Sequence, residues 1–85
     1  MAILYSSRFG REYKKLPEEI KKAAETKEKI FRKNPFDSGL KTHKLNGELD
    51  GFWSFWVTYS YRIVFDFVDE KTVRFYRIGT HDVYG

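Results

Sequence analysis

The chain has no cysteine, two prolines and one methionine in 85 residues. Without cysteine there is neither a disulfide framework nor a thiolate metal site, and nothing implies an oxidising compartment, so a cytoplasmic location is expected. The apolar start, Met-Ala-Ile-Leu-Tyr, is too short for the core of a signal peptide, and no run approaches the ~20 apolar residues of a membrane span. No membrane partner is expected. Repeats, low-complexity tracts and Pro/Gly/Ser linkers are also missing, so residues 1–85 read as one domain. At 10.2 kDa the chain is too small for a two-domain enzyme with a deep interdomain cleft.

Several kinds of active centre are missing as well. Gly39, Gly47 and Gly51 are isolated turn glycines, not a phosphate-cradling loop. The only histidines, His43 and His81, lie far apart in sequence with no acidic cluster at ligand spacing, so no metal and no cofactor is expected. No serine occupies a recognisable nucleophile elbow.

What the chain does have is aromatic and basic. Hydrophobic residues make up 41% and aromatic ones 19%, enough large apolar groups to build a core rather than a disordered chain. Sixteen Lys and Arg against twelve Asp and Glu give a net charge of +4, which favours an anionic partner such as nucleic acid. The excess sits entirely in residues 1–40. Any anion site in the second half must therefore arise from local clustering.

Ala2 to Tyr5 reads as a first strand, followed by Ser6-Ser7 as a helix N-cap. Phe9, Tyr13 and Leu16, spaced four then three, form one face of a first helix. Pro17 disfavours helical geometry at Leu16 but suits the first turn of a new helix, and Glu18-Glu19 sit where the helix dipole favours acids. This second helix, with Ile20, Ala23, Ala24, Ile30 and Phe31 on one stripe, should run to about residue 33. Its lysines and arginines read as a solvated face with i,i+4 acidic partners.

Beyond a loop at 34–39 the period changes. Residues 52–57, 61–68 and 72–78 are aromatic and β-branched runs that read as three strands. In the middle run Tyr61, Ile63, Phe65 and Phe67 alternate with Arg62, Val64, Asp66 and Val68, so the first set should face the helices and Arg62 the unpacked side. Asp69-Glu70-Lys71 is short enough for a hairpin. The expected architecture is α+β, in the order β-α-α-β-β-β, a small, mostly antiparallel sheet with a helical hairpin on one face.

On the unpacked face and its rim the sequence collects Lys41, His43 and Lys44 before the strands, Arg62 within one, and Arg77, His81 and Tyr84 at the end. An arginine in a strand beside histidine and lysine suits gripping a phosphate and balancing the charge that builds on it. The stretch from His43 to Phe65, especially Leu49-Asp-Gly-Phe-Trp-Ser54 and Tyr61-Arg-Ile-Val-Phe65, together with Gly79-Thr-His-Asp-Val-Tyr84, resembles the RelE/YoeB/YafQ group of bacterial type II toxins.

That resemblance implies a metal-independent endoribonuclease that cuts mRNA in the ribosomal A site and is silenced by a cognate antitoxin. It also implies roles. Arg62 would stabilise the phosphate, His81 would serve as acid or base, and Tyr84 would stack on or bond to the substrate near the cut. Lys41 and Lys44 would hold the RNA backbone, with His43, Trp56 and Arg77 as further RNA contacts. A secondary expectation for the basic residues of the helices is long-range attraction to ribosomal RNA.

One position departs from the group, since Trp56 stands where related toxins often carry an arginine. Loss of a cation there weakens phosphate binding, an indole can instead stack on a base, or the copy is attenuated. Two rivals accompany the nuclease reading: a ParE-like toxin that inhibits DNA gyrase by binding, and a non-catalytic module that merely accepts an antitoxin peptide.

Overall fold

The computed structural model describes residues 1–84. Strand β1 (Ala2–Tyr5) leads into helices α1 (Ser7–Lys14) and α2 (Glu18–Lys33). They are followed by β2 (His43–Lys44), β3 (Trp53–Trp56), β4 (Arg62–Asp69) and β5 (Thr72–Gly79), with a closing 3₁₀ turn at His81–Tyr84. The sheet order is β1-β5-β4-β3-β2, in which only the β1/β5 pair is parallel. The expected order holds, with one addition: β2, two residues long, pairs with β3 at the sheet edge. Among the described residues no helix is long and apolar enough to cross a membrane.

Local chemistry accounts for the helix boundaries. Ser6 Oγ accepts the N–H of Phe9 at 2.9 Å and donates to the Tyr76 carbonyl at 2.7 Å, so one hydroxyl both caps α1 and pins it to β5. Pro17 opens α2, whose first turn carries Glu18 and Glu19. Of the expected i,i+4 pairs, Glu28–Arg32 forms at 3.1 Å, whereas Glu18 meets Lys21 instead. Glu28 also accepts from the Tyr5 hydroxyl, joining α2 to β1. Burial first, and the Glu28 carboxylate second, raise the pKa of that phenol.

Under the helices Phe31 is the hub. Its ring lies 5.0 Å from Phe55, 4.9 Å from Phe65 and 5.3 Å from Phe75, the last two edge-on as ring quadrupoles favour. Phe9, Leu40, Val57, Ile63, Val73 and Ile78 complete this core. Phe75 and Ile78 are three apart, so an unbroken strand would point them to opposite faces. A bulge resolves this: Val64 pairs with Arg77 and Phe65 with Phe75, so Tyr76 is the extra residue and both apolar side chains reach the core.

The opposite face is not the open surface that strand alternation suggests. Val64 is fully buried there with Leu45 and Val83, and Leu49, Phe52, Tyr76 and Tyr84 close around them. The chain before β3 and the closing 3₁₀ turn thus cover the second face around Val64. Alternation assigns Val64 to a face, but its burial follows from what the loops lay over it.

Beyond Phe75 the outer edge of β5 has no strand partner among the described residues, and α1 takes over. Glu12 Oε1 accepts the N–H of Ile78 at 3.2 Å, while Oε2 accepts from Arg77 Nη2 at 2.7 Å and Nε at 3.2 Å. One carboxylate therefore satisfies an orphan strand amide and anchors the strand's arginine. Glu12→Ala should cost ~1–3 kcal/mol in urea unfolding by leaving that amide unpaired, and Phe31→Ala ~3–5 kcal/mol by emptying the hub. A Glu12→Ala midpoint equal to wild type would refute this account of the edge.

Candidate functional site

Strand register brings the predicted residues to one end of the sheet. His43, Ser54, Val64 and Arg77 form one cross-strand row over β2 to β5, and Trp56, Arg62 and Gly79 form the next. From Gly79 the chain passes through Thr80 into the turn that carries His81 and Tyr84. Arg62 thus pairs with a residue two positions before His81, although Arg62 and His81 are nineteen positions apart in sequence.

Arg62 is only 7% exposed. Its Nη1 donates to the carbonyls of Thr58 (2.8 Å), Tyr59 (2.7 Å) and Tyr61 (3.2 Å), and its guanidinium carbon lies 4.0 Å from the centre of the Trp56 ring. No carboxylate among the described residues comes within salt-bridge distance of it, unlike Arg8, Arg32, Arg74 and Arg77. Nε and Nη2 have no partner among the described residues, and no unpartnered side-chain N or O there is cut off from solvent. The outcome is a fixed cation, uncompensated by any carboxylate of the described residues, whose Nε and Nη2 keep unused N–H groups in the fork arrangement that a phosphate oxygen pair accepts.

Trp56 organises this cation and a second one. Lys41 Nζ lies 5.3 Å from the same ring. The indole that replaces an expected arginine thus holds two neighbouring cations by their attraction to its π face.

Lys41 itself adopts a left-handed backbone (φ 52°), uncommon for a residue with a long side chain. Its carbonyl accepts from His43 Nδ1 at 3.1 Å. A carbonyl can only accept, so Nδ1 carries the hydrogen and the lone pair of the neutral ring sits on Nε2, as a general base requires.

The C-terminal residues are tied down rather than frayed. Val83 is buried, Tyr84 Oη bonds to Oγ of the fully buried Ser54 at 2.8 Å, and Arg77 Nη1 donates to the Asp82 carbonyl at 3.2 Å. His81 stays exposed, its ring 6.5 Å from that of Tyr84. Two expected RNA contacts are placed otherwise. Lys44 pairs with Trp53, which packs on the helix-side core, so it leaves the sheet on the face opposite His43. Arg77 spends its charge on Glu12 and holds the closing turn. Ser54, which orients Tyr84, was not singled out from sequence; its only signal is that it shares a strand face with Trp56.

A groove of about 420 Å³ lies elsewhere, between the helices and the sheet, lined by Tyr5, Phe9, Tyr13, Ala24 and Ile63 with Glu25 and Glu28 at hand. Two carboxylates there disfavour a phosphate ligand. Among the described residues no group of three or more His, Asp or Glu is placed to hold a metal ion.

Among solved structures, YafQ from E. coli strain BL21(DE3) matches at TM-score 0.80 and 21% identity, over 96% of this chain and 94% of that one. The chain has the RelE-like fold. A YoeB/ParE toxin from Agrobacterium tumefaciens shares it at TM-score 0.80 and 16% identity, covering 95% and 99% of the two chains. So does a chain of the YoeB–YefM complex from Staphylococcus aureus, at TM-score 0.77 and 21% identity, covering 95% and 97%. At these identities the likeness is one of fold. No protein-family model and no curated protein matches the sequence.

Within this RelE-like frame the left-handed Lys41 is a local cost carried by the site. Lys41→Asn, a residue that tolerates this backbone, should match or exceed wild-type stability by up to ~1 kcal/mol in urea unfolding. A loss larger than that would mean that the contact of Lys41 with Trp56 outweighs the backbone strain.

Proposed function

We propose that this protein is the toxin of a toxin–antitoxin pair and a metal-independent endoribonuclease acting on mRNA at the ribosome. The observation that carries the reading is Arg62, a nearly buried guanidinium with no carboxylate partner and an unbonded Nε and Nη2 among the described residues, one strand row from His43 and paired with Gly79, from which the chain leads into the turn of His81 and Tyr84. Burying an uncompensated cation costs stability, and an arriving phosphodiester offsets that cost by supplying the missing anion. The RelE-like fold and the antitoxin complexes formed by YoeB of S. aureus and YafQ of E. coli support a cognate antitoxin as partner.

In this reading His43 Nε2 takes the proton of the ribose 2′-hydroxyl, whose oxygen attacks the adjacent phosphorus. Negative charge then builds on the non-bridging oxygens, where Arg62 Nε and Nη2 balance it. His81 gives a proton to the departing 5′-oxygen, leaving a 2′,3′-cyclic phosphate and a free 5′-hydroxyl. Tyr84, fixed by Ser54, contacts the nucleotide at the cut. Lys41, drawn to the face of Trp56, adds charge beside the RNA backbone.

Induced expression followed by mapping of mRNA 5′ ends tests this. Wild type should generate new ends with free 5′-hydroxyls within translated frames. Arg62→Ala and His81→Ala, checked for cooperative melting, should each lower cleavage by ~10²–10³-fold. Growth arrest with intact messages and inhibited DNA supercoiling would replace the nuclease reading with the gyrase-binding one.

A further inference from the structure

Tyr59 has no part in the fold yet is held in place with unusual care. It is 81% exposed, the most exposed large apolar or aromatic residue described. Exposed aromatics on turns are often mobile, but this turn is over-determined. Thr58 Oγ1 accepts the N–H groups of Ser60 (3.3 Å) and Tyr61 (3.2 Å), the N–H groups of Val57 and Thr58 both donate to the Tyr61 carbonyl, and Arg62 Nη1 gathers three of the turn's carbonyls. The Tyr59 ring stands edge-on to Trp56, with centroids 5.8 Å apart and planes at 81°. An exposed aromatic on a hydrogen-bonded turn and the cation of the site therefore rest against the same indole, and the Tyr59 carbonyl is itself a ligand of that cation.

We propose that Tyr59 is a nucleobase platform: the base neighbouring the phosphate held by Arg62 stacks on its ring, and Trp56 is the positioning residue that fixes the ring's angle. This rests on the RNA-cleavage reading above. The chemistry fits single-stranded RNA, whose unstacked bases pack on aromatic faces while arginine takes the backbone. Tyrosine presents this surface at small entropic cost, and a turn already fixed has little further ordering to undergo on binding. Stacking tolerates every base, so Tyr59 contributes affinity and biases the base at the cut toward those that stack best.

The test is titration of wild type, Tyr59→Ala, Tyr59→Phe and Arg62→Ala with a short unstructured RNA carrying 2′-deoxy sugars, so that binding is read without cleavage. Mapping of cut sites on natural mRNA runs in parallel. Tyr59→Ala should keep wild-type melting, bind ~5- to 150-fold more weakly and show an altered base distribution at the cut. Tyr59→Phe, which keeps the ring, should bind within ~2-fold of wild type. If Tyr59→Ala binds like wild type while Arg62→Ala does not, the platform is overturned and the cleavage reading stands. If wild type binds no RNA and cuts no message, both fall.

Discussion

The site is organised by the need to satisfy one buried charge. Arg62 sits in a strand between Trp56 and Gly79, largely shut off from water, and no carboxylate among the described residues neutralises it. Three turn carbonyls and an indole face hold it instead, which fixes the guanidinium but leaves its charge uncompensated. Neutral dipoles orient a cation and screen it only in part, so its net charge remains available to an incoming anion. The tight turn at 58–61, the left-handed Lys41 and the exposed Tyr59 all become intelligible as surroundings of that group. Trp56 fits the same logic: an arginine there would repel Arg62, whereas the indole attracts it and draws Lys41 in as well.

The rest of the fold delivers the C-terminal residues to that cation. Glu12 of α1 reaches the unpaired edge of β5, meets the Ile78 amide and holds Arg77, which in turn holds the Asp82 carbonyl. From the other side Val83 enters the second small core and Tyr84 bonds to Ser54. His81 is thus carried on a turn fixed at both ends while its own ring stays open. The bulge at Tyr76 keeps Phe75 and Ile78 in the aromatic core while the strand continues to the site.

Much of this was legible in the sequence, for identifiable reasons. Helical spacing of Phe9, Tyr13 and Leu16, the break at Pro17, the Ser6 cap and the hairpin near Asp69 are local signals, and local signals survive into the fold. The two-residue β2 carries no periodicity and exists only because β3 offers it an edge. The bulge, the Glu12–Arg77 pair and the cover over Val64 depend on residues distant in sequence, which pattern reading does not connect. Alternation placed Arg62 opposite the helices but described that face as unpacked, when it is covered around Val64. Arg62, His81 and Tyr84 stand out in the sequence as polar residues on and around one sheet face, and resemblance to the RelE/YoeB/YafQ toxins adds their individual roles. Tyr59 came from neither source, because an aromatic on a turn is unremarkable until its hydrogen-bonded surroundings are known.

The central claim is that Arg62 is the phosphate-binding group. A crystal structure of the protein with a short RNA lacking the 2′-hydroxyl at the cut tests it directly. The account predicts a phosphate oxygen ~2.7–2.9 Å from Arg62 Nη2 or Nε, with Nη1 still on the turn carbonyls. A phosphate bound elsewhere, with Arg62 facing only its own turn, would contradict it.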